Sequence, residues 1–147
     1  MSENIKYVSV ETAKFDYFYT NNSQQKFYKT ELLWGDRVRV IGAGRKSSER
    51  KIKERGKTGY IKKSDLGDEA LLEVYFIDVG QGDGVLIVTP DRRHIFIDGG
   101  WPRRSQPTNK NAVDFVDWKF NKDYGEDRIT LDTVMCSHND QDHYGGL

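Results

Sequence analysis

The sequence is poor in the features that would place it outside ordinary globular proteins. Its single cysteine, Cys136, cannot staple the chain to itself, so stability must come from packing or from a bound metal, and a reducing compartment is favoured. No apolar run exceeds four residues, as in Val85 to Val88, whereas a membrane span needs ~20. The opening residues Met1 to Lys6 lack the hydrophobic core of a secretory signal, which leads us to expect a cytoplasmic protein with no membrane segment. With 3 Pro and 14 Gly in 147 residues, a collagen-like repeat is excluded. The length allows one ordinary domain or two small ones.

Charge is plentiful but unevenly placed. The net charge is zero, from 23 Lys and Arg against 23 Asp and Glu. Residues 1–68 nevertheless carry 15 basic and 9 acidic residues, a balance of +6, and residues 69–147 carry 8 and 14, a balance of −6. Such asymmetry serves either an external partner or the docking of the halves.

From Tyr7 to Leu66 the sequence predicts short strands separated by polar turns, rich in aromatic and β-branched residues. Arg37-Val38-Arg39-Val40-Ile41 alternates charged and apolar, after the turn Trp34-Gly35-Asp36 and before Gly42-Ala43-Gly44. Residues 45–63 carry nine Lys and Arg and read as a long basic hairpin containing the strand Gly59-Tyr60-Ile61. The aromatics before Tyr28 read as core and rim of a small β domain rather than as a base-stacking platform.

The pattern Leu33-x-Gly35-Asp36-x-Val38-x-Val40, followed by Gly56-Lys57-Thr58-Gly59-Tyr60-Ile61 and Leu66, resembles a bacterial SH3-like barrel. The resemblance implies a β-barrel over residues 1–67 that binds a peptide, a polymer or a neighbouring domain, and so offers a route to a protein partner. Independently of it, Lys51, Lys53 and Arg55 are candidates for nucleic-acid contact by charge.

After the polar joint Gly67 to Ala70 the texture changes. Leu71 to Ile77, Val85 to Val88 and His94 to Ile97 read as three buried strands. Ala112, Val113, Val116 and Phe120 fall at helical spacing, with Asn111 as N-cap and Gly125 as terminator. Leu131 to Cys136 reads as a further strand. His94 is expected on a strand surface, uninvolved in metal binding. Arg103 and Arg104, in an exposed Pro-punctuated loop, are further candidates for phosphate contact. Gly80-Gln81-Gly82-Asp83-Gly84 reads as a turn between strands, because it lacks the Lys of a phosphate-binding loop.

The strongest chemical signal is Ser137-His138-Asn139-Asp140-Gln141-Asp142-His143-Tyr144-Gly145-Gly146. His138, Asp140, Asp142 and His143 place imidazole and carboxylate ligands directly after a strand, where a divalent cation can be held. The competing reading is a hydrophilic turn whose Asp residues cap a following helix.

The string H-x-D-x-D-H followed by Tyr-Gly-Gly-Leu resembles the metal-binding motif of the metallo-β-lactamase fold, with Asp140 in place of a His. Val74 to Asp83 and Ile97-Asp98-Gly99-Gly100 look like the opening strands of the DNA-uptake competence-protein branch of that superfamily. The resemblance implies an α/β protein in which residues 70–147 form the first part of an αββα sandwich. It implies two divalent metal ions, zinc or manganese with magnesium also compatible: His138 and Asp140 at one, Asp142 and His143 at the other. Asp98 would steady the metal loop, Asp78 and Asp83 would flank the Gly-Gln-Gly turn, and Asp142 would double as an acid or base.

The implied activity is metal-dependent phosphodiester hydrolysis, as in a nuclease with nucleic acid as substrate. Hydrolysis of a small ester, lactone or thioester is the alternative within enzymes, and a non-catalytic binding or assembly subunit the alternative outside them. The family draws further ligands from later strands. Residues 1–147 alone are therefore expected to bind metal weakly and hydrolyse little, with the remaining ligands supplied by a longer chain or a second polypeptide.

Overall fold

A computed structural model describes residues 4–21 and 24–147 of the chain. The protein is mostly β-sheet with few helices and divides into two compact units, Met1–Ala70 and Leu71–Leu147. No helix among the described residues is long and apolar enough to cross a membrane.

The first unit holds β1 (Ile5–Val8), β2 (Thr12–Asn21), β3 (Gln24–Leu33), β4 (Arg37–Ala43), β5 (Glu49–Glu54), β6 (Lys57–Lys62) and β7 (Leu66–Gly67). They form one sheet in the order β3-β2-β6-β5-β4-β1-β7, every pair antiparallel. The sheet does not close into a barrel, because β3 and β7 stand at its two ends. Alternation directs Val8, Ala13, Phe15, Leu32, Val38, Ile52 and Ile61 into one buried cluster. Each large side chain there contributes ~1.5–3 kcal/mol on burial.

The β5–β6 turn needs a left-handed backbone at both central residues. Arg55 has φ 43° and Gly56 φ 73°, the geometry that matches strand twist in a two-residue hairpin. The β2–β3 hairpin is longer than the core it serves. Its ten paired positions run from Thr12↔Leu33 to Asn21↔Gln24, and the distal half carries Tyr19, Phe27 and Tyr28 into solvent. Only part of the aromatic stretch is therefore core, with Phe15 fully buried and Tyr17 packed beside it.

The second unit holds β8 (Glu73–Phe76), β9 (Val85–Val88), β10 (His94–Ile97), helix α1 (Ala112–Trp118), β11 (Thr133–Met135) and the single-turn helix α2 (Gln141–Tyr144). Strands β8, β9 and β10 pair antiparallel, and β11 adds parallel to β10, giving the order β11-β10-β9-β8. Helix α1 starts with a capping box: the Asn111 side chain accepts from the Val113 amide while Asp114 accepts from the Asn111 amide. It passes into a π-helical turn, Lys119–Tyr124, and Gly125 at φ 68° ends it in the left-handed region.

Val116, Phe120 and Tyr124 cover one sheet face, burying Leu86, Val88 and Phe96. On that same face lies His94, which is not a surface residue. It is buried, with its ring 4.7 Å from that of Phe120, and its backbone amide donates to Asp132. Being two residues from Phe96, it must share the face that α1 covers.

Strand alternation turns Val74, Phe76, Val85, Ile87, Ile95, Ile97 and Met135 to the opposite face. There Phe76 is 84% exposed, and Val74 and Met135 are also exposed. Of the three strands expected to be buried, β9 and β10 bury alternate residues, whereas β8 has none buried and its alternate residues meet solvent.

Candidate metal centre

The centre forms where β10 and β11 end. These strands are parallel neighbours, so both chains leave the sheet at the same edge, the place where open α/β sheets hold ligands. The amide of Asp98, just past β10, donates to the Met135 carbonyl at 3.0 Å. Asp98 adopts φ 55° and is only 2% exposed. Asp tolerates this left-handed conformation better than most residues.

The buried carboxylate of Asp98 organises the following loop. It accepts from the Ser137 amide at 2.8 Å, from the Ser137 hydroxyl at 2.6 Å and from His143 Nδ1 at 2.9 Å. His143 Nδ1 faces this carboxylate, so a cation bound between the two would take the place of the shared proton. Burial pushes the Asp98 carboxyl up, but the Ser137 and His143 hydrogen bonds outweigh it and hold the group below the usual carboxylate range. The same Asp98 hydrogen bond raises the His143 pKa above its ordinary value against the opposing effect of desolvation.

Asp83 completes the convergence. Its Oδ2 lies 3.8 Å from His143 Nδ1. Asp83, Asp98 and His143 each offer one ligand atom, all within 4.8 Å of one another. Beside them, the His138 ring centroid is 3.7 Å from that of His143, and His138 Nε2 is 3.5 Å from Asp140 Oδ2. The Ser137 hydroxyl spends its one proton on Asp98, so it can accept from His138 Nδ1 at 3.0 Å. That arrangement leaves His138 Nε2 facing Asp140 with its lone pair free.

Asp140 occupies the N-cap position of α2, yet its side chain makes no capping bond. The helix-capping reading of this carboxylate is therefore not what the structure shows. Asp142 is placed differently from the other acids: it accepts from the Gln81 side-chain amide at 3.3 Å and lies outside the three-donor group. Asp78 caps its own turn by accepting from the Gly80 amide at 3.1 Å.

The approach of the Gly80–Gly82 turn to the loop is tight. A Cβ on Gly82, where φ is 94°, would lie 1.8 Å from the Asp142 carbonyl oxygen. Only glycine admits both that conformation and that contact.

Two imidazoles and three carboxylates within one loop cluster suit a divalent cation of borderline to hard character. The motif resemblance puts Asp83 only beside the turn and Asp98 only in support, yet both belong to the three-donor group. Ser137 and Gln81 have roles that sequence pattern does not assign. The one available signal for Ser137 is its place between the strand end and His138. Among the described residues this is the one group of three or more candidate ligands, and His94 is not in it.

The basic candidates are distributed as follows. Lys51 lies on β5 with its Nζ 5.7 Å from the Phe18 ring, and Lys53 is exposed on the same strand. Arg55 pairs with Glu54 at 2.8 Å and Asp36 at 3.3 Å. Arg103 pairs with Asp114 at 2.9 Å, which ties its loop to the start of α1, and Arg104 is exposed. Comparison with protein-family models, curated proteins and solved structures finds no match to this chain.

Proposed function

We propose that the second unit is the opening part of a metallo-β-lactamase-like domain and that its chemistry is metal-dependent hydrolysis of a phosphodiester, most simply in nucleic acid. The observation that carries this reading is the convergence of Asp83, Asp98 and His143, with His138 and Asp140 alongside, at the shared end of β10 and β11. His143, Asp98 and Asp83 would hold one divalent ion, zinc or manganese, and His138 with Asp140 would contribute to a second. A bound divalent ion lowers the pKa of its water and neutralises charge on phosphate oxygens. The protein's own contribution is to orient: Asp98 holds the Ser137 end of the loop, Ser137 fixes the His138 tautomer, and Gln81 holds Asp142 beside the loop. Asp142 is the carboxylate left to exchange protons with substrate.

The uncovered apolar sheet face supports the sandwich reading, since a second sheet is what would cover Val74, Phe76 and Met135. The same face favours a second reading, in which the chain is a binding or assembly subunit without turnover. Remaining ligands would then come from a longer chain or another polypeptide.

Calorimetric titration with Mn2+ and Zn2+ separates these outcomes. Weak, saturable binding that falls about 10- to 100-fold in Asp98→Asn and vanishes in His143→Ala is expected. Binding unaffected by either substitution refutes the centre. Metal binding without cleavage of single- or double-stranded DNA, in a chain extended to include the covering layer, favours the assembly subunit.

A further inference from the structure

The face of the first unit that points away from its core is not an ordinary solvated surface. Register places Phe18 opposite Phe27 on β3 and opposite Thr58 on β6, and places Tyr60 opposite Asp16 on β2 and Lys51 on β5. The core residues Ala13, Phe15, Ile52 and Ile61 alternate with these positions, so all of them project outward. Phe18 and Phe27 have ring centroids 5.5 Å apart, and Phe18 and Tyr60 5.8 Å with planes inclined by 28°. Three rings therefore run across β3, β2 and β6, and Phe27 is 47% exposed.

Cations sit among the rings. The Arg45 guanidinium lies 4.5 Å from the Tyr60 centroid and 5.8 Å from that of Phe27, and Lys51 Nζ lies 5.7 Å from Phe18. Asp16 and Glu49 both bond to Arg45, which holds its guanidinium beside the rings. Next to the rings is an open hollow of about 720 Å³ lined by Lys14, Lys29 and Lys62 and by the acids Asp16, Glu31 and Glu49, of which Asp16 and Glu49 are engaged by Arg45. These lie in the half of the sequence that carries +6.

We propose that this aromatic and basic face binds single-stranded DNA. Unpaired bases can stack on Phe27, on Phe18 and on the exposed side of the Arg45 guanidinium, while the lysines follow the phosphates. A duplex keeps its bases stacked inside and could use only the charges; a peptide of Asp and Glu carries no aromatic rings to stack on these. The proposal extends the nucleic-acid part of the functional reading to a substrate class, but it stands on the first unit alone and needs no metal.

Fluorescence anisotropy of the 147-residue chain, in EDTA, tests it with labelled fifteen-nucleotide oligo(dT), a fifteen-base-pair duplex, oligo(rU) and poly-Glu as probes. Binding to oligo(dT) at least about 10-fold tighter than to the duplex is expected. Phe27→Ala should weaken oligo(dT) binding about 10-fold or more and leave the duplex almost unchanged, and its urea transition should match that of the parent chain because Phe27 lies outside the core. Lys51→Gln should lower the slope of log K against log salt by about 0.7. No saturable oligo(dT) binding at low salt, equal losses for single strand and duplex, or tighter binding of oligo(rU) or poly-Glu overturns the proposal. Because EDTA removes metal, loss of the metal centre would not change this result, and failure here would leave the hydrolysis test standing.

Discussion

Replacing Asp98 should unfasten the whole metal loop even with no metal present. Its carboxylate accepts three hydrogen bonds, from the Ser137 amide, the Ser137 hydroxyl and His143. Hydrogen bonds to a charged acceptor contribute ~1.5–3 kcal/mol each. Some released donors can turn to water once the loop opens, so Asp98→Ala should cost about 3–5 kcal/mol, the range for breaking a buried charge-assisted pair. A further ~1 kcal/mol comes from placing Ala at φ 55°. Asp98→Asn retains the left-handed preference and an oxygen for the Ser137 amide but loses the charge, so about 1–2 kcal/mol is expected.

Urea denaturation in EDTA measures the difference. On a Trp34→Phe background the remaining Trp101 and Trp118 report the second unit alone. At a slope of ~1–1.5 kcal/mol per molar, Asp98→Asn should lower the midpoint by ~1 M and Asp98→Ala by ~3 M or more. Amide exchange at Ser137 should be slowed in the parent and in Asp98→Asn and fast in Asp98→Ala. Midpoints for both variants within about 0.3 M of the parent, given that slope, would show that Asp98 does not organise the loop.

Two further outcomes follow from neighbouring features. The Asp114 carboxyl is held below the usual range, first by Arg103 and then by the Asn111 amide against the cost of desolvation. Its contribution to the α1 capping box is thus complete above the unfolded carboxyl pKa of ~3.9 and is lost as pH falls through the lower folded value. Carboxyl NMR titration of Arg103→Gln should find Asp114 moved back up toward the ordinary value, while Asn111→Ala should cost about 1 kcal/mol at neutral pH. Gly82→Ala should push the Gly80–Gly82 turn off the Asp142 carbonyl, weakening Mn2+ binding about 10-fold or more while leaving the Phe96–Phe120 core intact by methyl NMR.

Several elements are legible in the sequence because local chemistry and tertiary demand agree. Strands β9 and β10 match their apolar runs because Gly84 and Pro90 bracket the first and Asp98 ends the second. Helix α1 is legible for the same reason, as Asn111 and Gly125 sit where its orphan amides and carbonyls need them. Strand β3 is not, since Gln24 to Leu33 has little apolar alternation; pairing along the whole of β2 supplies what its composition does not. The metal loop is visible as a string of ligand types from His138 to His143. Asp83 lies outside any such local string, and it reaches His143 only because the turn after β8 packs against the loop.

The uncovered face of the second sheet has a thermodynamic signature distinct from that of the metal loop. Any ligand that settles over Phe76, Val74 and Met135 removes apolar surface from water, and heat capacity is the quantity that registers such removal most reliably. Cations at the Asp98 loop exchange hydration of charges instead. The temperature dependence of a ligand's binding enthalpy therefore distinguishes occupation of this face from occupation of the metal loop.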